Sequence, residues 1–213
     1  MRRFFRLLPL LLVSLSFMSC VDYVQSIGYK NGKYQLYYKI TLSKMVLAMA
    51  GEDSEAFFQE MNMDGSGLPP GAVFRKVDTD LEAGIELSGE INPKTADEDD
   101  KKMLPVSVGN RMYVPFLPGR EGVMPGDLSD ITESDDDMTS AMAKAMLSSA
   151  KCRILLSKKM LPAVGMVYFE GLEGQDCPLP VFDYGETFCI EIPVILLTEK
   201  GKYKFDRVVV SLP

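Results

Sequence analysis

The chain has 213 residues, of which 46% are hydrophobic and 25% charged, and these proportions are those of a globular protein. Its formal charge of -7 disfavours nucleic acid as a partner, because phosphate binding requires a basic surface. The sequence contains no histidine, which excludes Ser-His-Asp and Cys-His nucleophile arrangements and every histidine-containing metal site. We therefore expect no enzymatic activity, no metal site and no cofactor.

Residues 1–19 have the three-part pattern of a secretory signal peptide. Three arginines within the first six residues precede about a dozen mostly apolar residues, a run too short to span a bilayer. The small residue Ser19 then stands before Cys20. We expect residues 1–19 to be removed on export, so that residues 20–213 form a single exported domain.

A hairpin is predicted at the start of this domain. Apolar and polar side chains alternate over residues 33–40, which is typical of a half-buried strand. Asn31-Gly32 favours a type I′ turn that joins it to a strand at about 22–29. A helix is predicted from Ser43, and a second short helix begins at Asp53 or Ser54. Further strands are predicted at about 72–77 and 81–91.

The second half of the chain contains a charged loop at 93–102 and a long acidic loop at 118–136. A helix is predicted at about 136–150, because Ser134 and the aspartates after it provide a capping-box-like start. The remaining strands are predicted at 111–117, 152–157, 163–170, 187–197 and 202–211, the last two joined by a turn. Consecutive hairpins predict an α+β fold, a mostly antiparallel sheet with two short helical regions packed on one face.

The segment Phe17-Met18-Ser19-Cys20 resembles the lipobox of bacterial lipoproteins, in which a small residue precedes an invariant cysteine. The resemblance implies that the Cys20 thiol carries a diacylglyceryl group, that the signal is cut before it, and that the new amine is usually acylated. Several acyl chains hold a protein firmly at a membrane surface, whereas one chain binds marginally. The expected location is the bacterial cell envelope, on the periplasmic face or the cell surface.

Three cysteines remain if Cys20 carries lipid, so they cannot all pair with one another. An exported compartment permits one disulfide, and we expect Cys152 to pair with Cys189 because both lie in strand-like runs. Cys177, in a predicted loop, is an alternative partner. Three buried thiols that act as small apolar side chains are a further alternative.

Methionine is unusually frequent, with 14 in the chain. Met138, Met142 and Met146 recur at helical spacing among small residues, and such unbranched, polarizable side chains form adaptable apolar surfaces. They pack either into a solid core or around a cavity that accepts lipid. The candidate lining residues are Met45, Met49, Phe57, Phe58, Met138, Met142 and Met146.

The span from Cys20 to Ile91 resembles the N-terminal half of LppM-like bacterial lipoproteins. Shared features are a lipobox cysteine that leads directly into a hairpin, a Ser43-Lys44 helix start, the segment Leu68-Pro69-Pro70-Gly71 and an amphipathic strand. The resemblance implies a sheet wrapped around a helix that encloses an apolar cavity for envelope lipids. The C-terminal membrane span typical of that family is missing here.

The sequence thus favours a membrane-anchored, non-enzymatic envelope lipoprotein that binds lipid or another apolar ligand in a methionine-rich cavity. The alternative is an envelope protein–protein interaction module, in which the acidic loop 118–137 contacts a partner and the core is solid.

Overall fold

The computed structural model describes residues 21–49, 53–55, 58, 71–119, 145, 147–199 and 201–213, and this part of the chain is mostly β. The strands, β1 to β12 in chain order, span Val21–Lys30, Lys33–Ser43, Val73–Asp78, Glu82–Ile91, Val106–Val108, Arg111–Pro115, Lys151–Ser157, Val167–Phe169, Cys177–Pro178, Val181–Asp183, Thr187–Pro193 and Arg207–Ser211. Helix α1 spans Lys44–Met49 and α2 spans Glu98–Lys102, and two 3-10 helices span Leu117–Gly119 and Val194–Thr198.

The strands form two sheets. The large sheet has the order β10-β11-β7-β1-β2-β4-β3, and the small sheet has the order β5-β6-β12-β8-β9. Neighbouring strands are antiparallel except for β1 and β7, which pair in parallel. This parallel pair joins the start of the domain to a strand more than a hundred residues later, at the centre of the large sheet.

The predicted first hairpin is confirmed. β1 and β2 pair in antiparallel register from Val21 opposite Leu42 to Lys30 opposite Lys33. Asn31 has φ 53° and Gly32 has φ 79°. A type I′ turn requires positive φ at both central residues, so this dipeptide fixes the register of the hairpin.

The core lies between the inner faces of the two sheets, and one cluster of buried side chains draws on both. Tyr23 of the large sheet meets Phe116, which follows β6 of the small sheet, with ring centroids 5.8 Å apart in an edge-to-face arrangement. Phe116 in turn lies 5.7 Å from Phe169 of β8. This aromatic row ties the sheets together, since edge-to-face pairs add stabilisation beyond the buried area.

The predicted α+β architecture, with helices packed on one face of a sheet, is wrong. The apolar face of the large sheet is covered by the small sheet instead. Helix α1 buries Leu47 against Ala83 at one end of the large sheet, and α2 buries no residue. In the helix predicted at 136–150, Ala145 and Leu147–Ser149 are helical, and the buried Leu147 belongs to the core. Residues 136–144 and 146 lie outside the described part.

The predicted hairpin between the last two strands is also wrong. Pro193 ends β11, and the chain continues into the 3-10 helix Val194–Thr198. β11 belongs to the large sheet and β12 to the small one. The residues of the predicted turn therefore connect the two sheets rather than two neighbouring strands.

The charged segment 93–102, predicted as a loop, contains α2. Asp97 caps this helix, because its side chain accepts hydrogen bonds from the backbone N–H groups of Asp99 and Asp100. Acidic residues fill the first turn, and Lys101 and Lys102 fill the last. This order complements the helix dipole and explains why so polar a segment is helical.

The outer face of the large sheet carries a row of opposite charges across neighbouring strands. Asp22 lies 3.8 Å from Lys39 and 3.3 Å from Arg153, and Lys39 lies 3.1 Å from Glu82. Burial alone would raise the pKa of Glu82, but hydrogen bonds from Thr41 and Lys39 outweigh it and hold that pKa below its ordinary value of 4.5. These cross-strand pairs explain the polar half of the alternation in β1, β2 and β4.

Candidate functional site

Most of the residues predicted to bind an apolar ligand lie outside the described residues. These are Phe57, Met138, Met142 and Met146. Cys20 and the acidic loop from residue 120 onward lie outside them as well. Met49 is described only as the last residue of α1, without its side chain.

Met45 and Phe58, whose side chains are described, occupy different environments. Met45 is 45% exposed on α1. Phe58 is half-buried and packs against Leu47 and Ala83. The Nζ atom of Lys76 lies 5.0 Å from the centroid of the Phe58 ring, a cation–π contact. Phe58 is therefore a packing residue at the end of the large sheet, and Met45 is a surface residue.

A small apolar cavity lies against β2 and β4. Leu36, Tyr38, Leu87 and Met103 contribute to its wall, and its volume is about 20 Å³. A space of this size holds about one water molecule, so it does not accommodate an acyl chain. A larger, open depression of about 700 Å³ includes Phe58, but its other lining residues, Asp53, Ser54, Glu55, Lys76 and Asp78, are charged or polar, so it is not an apolar lipid cavity either.

The expected disulfide between Cys152 and Cys189 is not formed, because both thiols are free. Cys189 pairs with Leu155, and Cys152 pairs with Ile192, so the two cysteines are three residues out of register on adjacent strands. An odd offset places them on opposite faces of the sheet, out of disulfide reach. Burial raises the pKa of Cys152 to about 12, as expected for an inert core thiol.

The third cysteine, Cys177, is also free, and its side chain is half-buried. Burial raises the pKa of its thiol above the ordinary 9.0, as it does for Cys189. The three described cysteines thus match the alternative in which thiols pack as small apolar side chains.

A groove lies on the outer side of the small sheet, and we call it the small-sheet groove. Its volume is about 380 Å³. It is lined by Val106, Val108, Tyr113, Glu170, Lys204, Asp206, Arg207 and Val209. These residues come from three adjacent strands and from the segments that flank β8 and β12.

The strand register explains the apolar floor of the groove. Val209 of β12 lies directly between Tyr113 of β6 and Tyr168 of β8, and Val106 of β5 continues the row beyond Tyr113. Residues directly opposite one another across antiparallel strands share one face of the sheet. The register therefore gathers an apolar row across the outer face of the small sheet.

Charged side chains of both signs border this row. Lys204 Nζ lies 3.2 Å from a carboxylate oxygen of Glu170, and a guanidinium nitrogen of Arg111 lies 3.8 Å from the other. Arg207 Nε lies 3.6 Å from Asp206. The rim presents two cations and two anions from its lining residues, so it favours neither sign strongly and suits a partner with mixed charge.

Tyr113 adds a hydrogen-bonding group to the floor, and Tyr168, at the end of the apolar row, is buried. The side-chain hydrogen bond with Tyr113 and the nearby Tyr168 raise the pKa of Arg111 above its ordinary value. Burial raises the pKa of Tyr168 above 10.0. The Tyr168 phenol therefore stays protonated at neutral pH, and the floor combines apolar area with the polar hydroxyl of Tyr113.

The groove ends at β5, an edge strand of the small sheet. All three of its residues are exposed, with Val106 at 41% and Val108 at 61%. No described strand pairs with its outer side. An exposed edge with β-branched apolar residues can pair with another chain. Three residues are too few for an alternation pattern, so the sequence prediction missed this strand and detected only its neighbour β6.

Comparison with protein-family models, with curated proteins and with solved structures gave no match. In the described part of the chain, no helix is long and apolar enough to cross a membrane. The same residues contain no group of three or more cysteine or acidic side chains arranged to hold a metal ion.

Proposed function

We propose that the chain is a lipid-anchored envelope protein whose two-sheet domain binds an extended segment of a partner protein at the small-sheet groove. The lipobox-like segment that ends at Cys20 supports the anchor. The observation that carries the binding function is the exposed edge of β5 beside an apolar groove. The interaction-module hypothesis from the sequence places the contact on the acidic loop 118–137, and this proposal places it on the small sheet instead.

An extended segment suits this surface because of its shape and hydrogen-bonding groups. The outer backbone groups of β5 supply main-chain hydrogen bonds, and every second side chain of an added strand points toward the groove face. Apolar side chains at those positions would cover Val106 and Tyr113. Charged side chains between or beyond them would meet Glu170, Lys204 and Arg207 at the rim.

Lipid binding in a methionine-rich cavity stays a prediction. The cavity in the described core is sized for water, so a lipid would depend on residues outside it. Extraction of the purified Cys20→Ala protein followed by lipid mass spectrometry tests this hypothesis. Lipid that co-purifies in stoichiometric amount would favour a lipid-binding cavity, and a stable protein free of lipid would exclude this hypothesis.

Site-specific photo-crosslinking tests the groove directly. A photoreactive residue is placed at Val108, and crosslinks are induced in cells that make the full chain. We expect a discrete protein adduct that disappears when Val106→Lys is added, because a lysine on an edge strand opposes pairing. The adducts are identified by mass spectrometry.

The matched control is Val73, another exposed valine on an edge strand, at 51% exposure on β3 of the large sheet. A photoreactive residue there should give no such adduct, and Val73→Lys should leave the Val108 adduct intact. Equal crosslinking from both positions, or an adduct insensitive to Val106→Lys, would contradict binding at the groove. Deletion of residues 120–137 then shows whether the acidic loop contributes.

The anchor is tested separately. Labelled palmitate should be incorporated into the full chain and not into Cys20→Ala, and the variant should leave the membrane fraction. A variant that still fractionates with membranes and still incorporates palmitate would show that the lipobox interpretation is wrong.

A further inference from the structure

The start of β1 defines one end of the domain. Val21 is the first residue of β1 and lies opposite Leu42 near the end of β2, and Asp22 lies opposite Lys151, the first residue of β7. Three central strands of the large sheet thus share this end, which we call the N-terminal end. Helix α1 follows β2 directly and lies here as well.

The turn between β3 and β4 is fastened to the same end. The backbone N–H of Lys44, at the start of α1, donates to the carbonyl oxygen of Leu81 at 2.9 Å. Lys44 Nζ also lies 2.6 Å from a carboxylate oxygen of Asp78 at the end of β3. These two contacts hold α1 and the turn side by side.

Two large apolar side chains are exposed there. Leu81 is 66% exposed at the tip of the turn, and Met45 is 45% exposed one residue after Lys44. The ion pair offsets the charge of Asp78, although Asp80 beside Leu81 adds a negative charge. The lysines at this end are paired, Lys44 with Asp78 and Lys151 with Glu191. An apolar pair beside such neutralised positive charges suits a zwitterionic surface better than a strongly anionic one.

The position of Cys20 next to Val21 determines what the N-terminal end of the domain faces. Consecutive Cα atoms are about 3.8 Å apart, so a lipidated Cys20 has no linker between it and Val21. Acyl chains on Cys20 would therefore hold the N-terminal end against the headgroups, where exposed apolar side chains gain free energy by leaving water.

We infer that the N-terminal end is a membrane-contacting surface, in which Leu81 and Met45 enter the interface of a zwitterionic bilayer and set the orientation of the domain. This inference rests on the proposed anchor at Cys20. In this orientation the β1–β2 turn points away from the membrane, because Tyr29 lies eight residues along β1, about 27 Å from Val21 at the rise of a strand.

The absence of tryptophan from the chain provides a direct test. Leu81→Trp and Tyr29→Trp each introduce a single tryptophan at an exposed apolar position, Tyr29 being 37% exposed. The full, lipidated proteins are reconstituted into phosphatidylcholine vesicles with and without brominated acyl chains. We expect brominated lipid to quench Leu81→Trp at least about twofold and to blue-shift its emission, with no change for Tyr29→Trp. Met45→Trp should behave like Leu81→Trp.

The outcomes separate the inference from the proposed function. Intact-mass measurement of each reconstituted protein reports acylation at Cys20. The membrane-contacting surface alone is overturned if the protein is acylated but the tryptophans of Leu81→Trp and Met45→Trp stay accessible to aqueous acrylamide and are not quenched by brominated lipid. A protein without acyl groups overturns the anchor and the inference together. Quenching at Tyr29 instead of Leu81 reverses the orientation and also overturns it.

Discussion

Gln25 is a fully buried polar side chain that links the two sheets. Its amide nitrogen donates to the carbonyl oxygen of Pro115 in β6 at 2.7 Å, and its amide oxygen accepts from the hydroxyl of Tyr23 at 2.8 Å. Such a bond across the core fixes the position of one sheet relative to the other. Both bonds are buried, so replacing the amide with an apolar group would remove them. The cost of desolvating the Pro115 carbonyl and the Tyr23 hydroxyl would then no longer be offset by these bonds.

We therefore expect Gln25→Leu to lower the free energy of unfolding by about 1–3 kcal/mol. The measurement is urea denaturation followed by circular dichroism. Gln35→Leu is the matched control, since Gln35 is exposed on β2 and its amide nitrogen donates to Glu90, which is exposed as well. Its effect should stay within about 0.5 kcal/mol. Equal losses for the two variants would contradict a bridging role for Gln25.

At the scale of elements, β4 is shaped by a close approach to β2 at Gly84. A Cβ atom at this position would overlap the carbonyl oxygen of Ile40 and would lie 2.6 Å from the Cα of Thr41. These are backbone atoms of a central strand and cannot rotate away. Glycine is therefore required here by the packing of the two strands.

Gly84→Ala should destabilise the domain by about 1–3 kcal/mol or more, because relief of the overlap requires β2 and β4 to move apart. Gly89→Ala is the control in the same strand, since its Cβ would lie 3.4 Å from the Cα of Ala72, an ordinary contact. Thermal unfolding of the two variants checks the prediction. A Gly84→Ala protein as stable as Gly89→Ala would show that β4 is not held so closely against β2.

Individual strands were predictable from the sequence where alternation is long, as in β2 and β4, and where a turn dipeptide fixes the register, as in Asn31-Gly32. Their partners were not predictable, because pairing depends on contacts between distant residues. Nothing local to Cys152 indicates that β7 lies parallel to β1. The candidate site was missed for the same reason: Val106, Tyr113 and Val209 meet only through the register of three strands.

The path of the chain through the whole molecule makes the two sheets interdependent. β5 and β6 belong to the small sheet, β7 to the large one, β8 and β9 to the small one, β10 and β11 to the large one, and β12 to the small one. Neither sheet is a continuous segment, and one core cluster contains the inner residues of both. If one sheet separated, the apolar face of the other would be exposed to water.

We therefore expect the domain to unfold in a single cooperative transition. Far-ultraviolet circular dichroism reports the strands, and near-ultraviolet dichroism reports the packing of aromatic residues such as Tyr23, Phe116 and Phe169 between the sheets. The two signals should give coincident urea midpoints, as two-state unfolding requires. In Gln25→Leu both midpoints should fall together, because the lost bond supports the packing of both sheets at once. Aromatic packing that is lost well before the strands would show that one sheet survives alone.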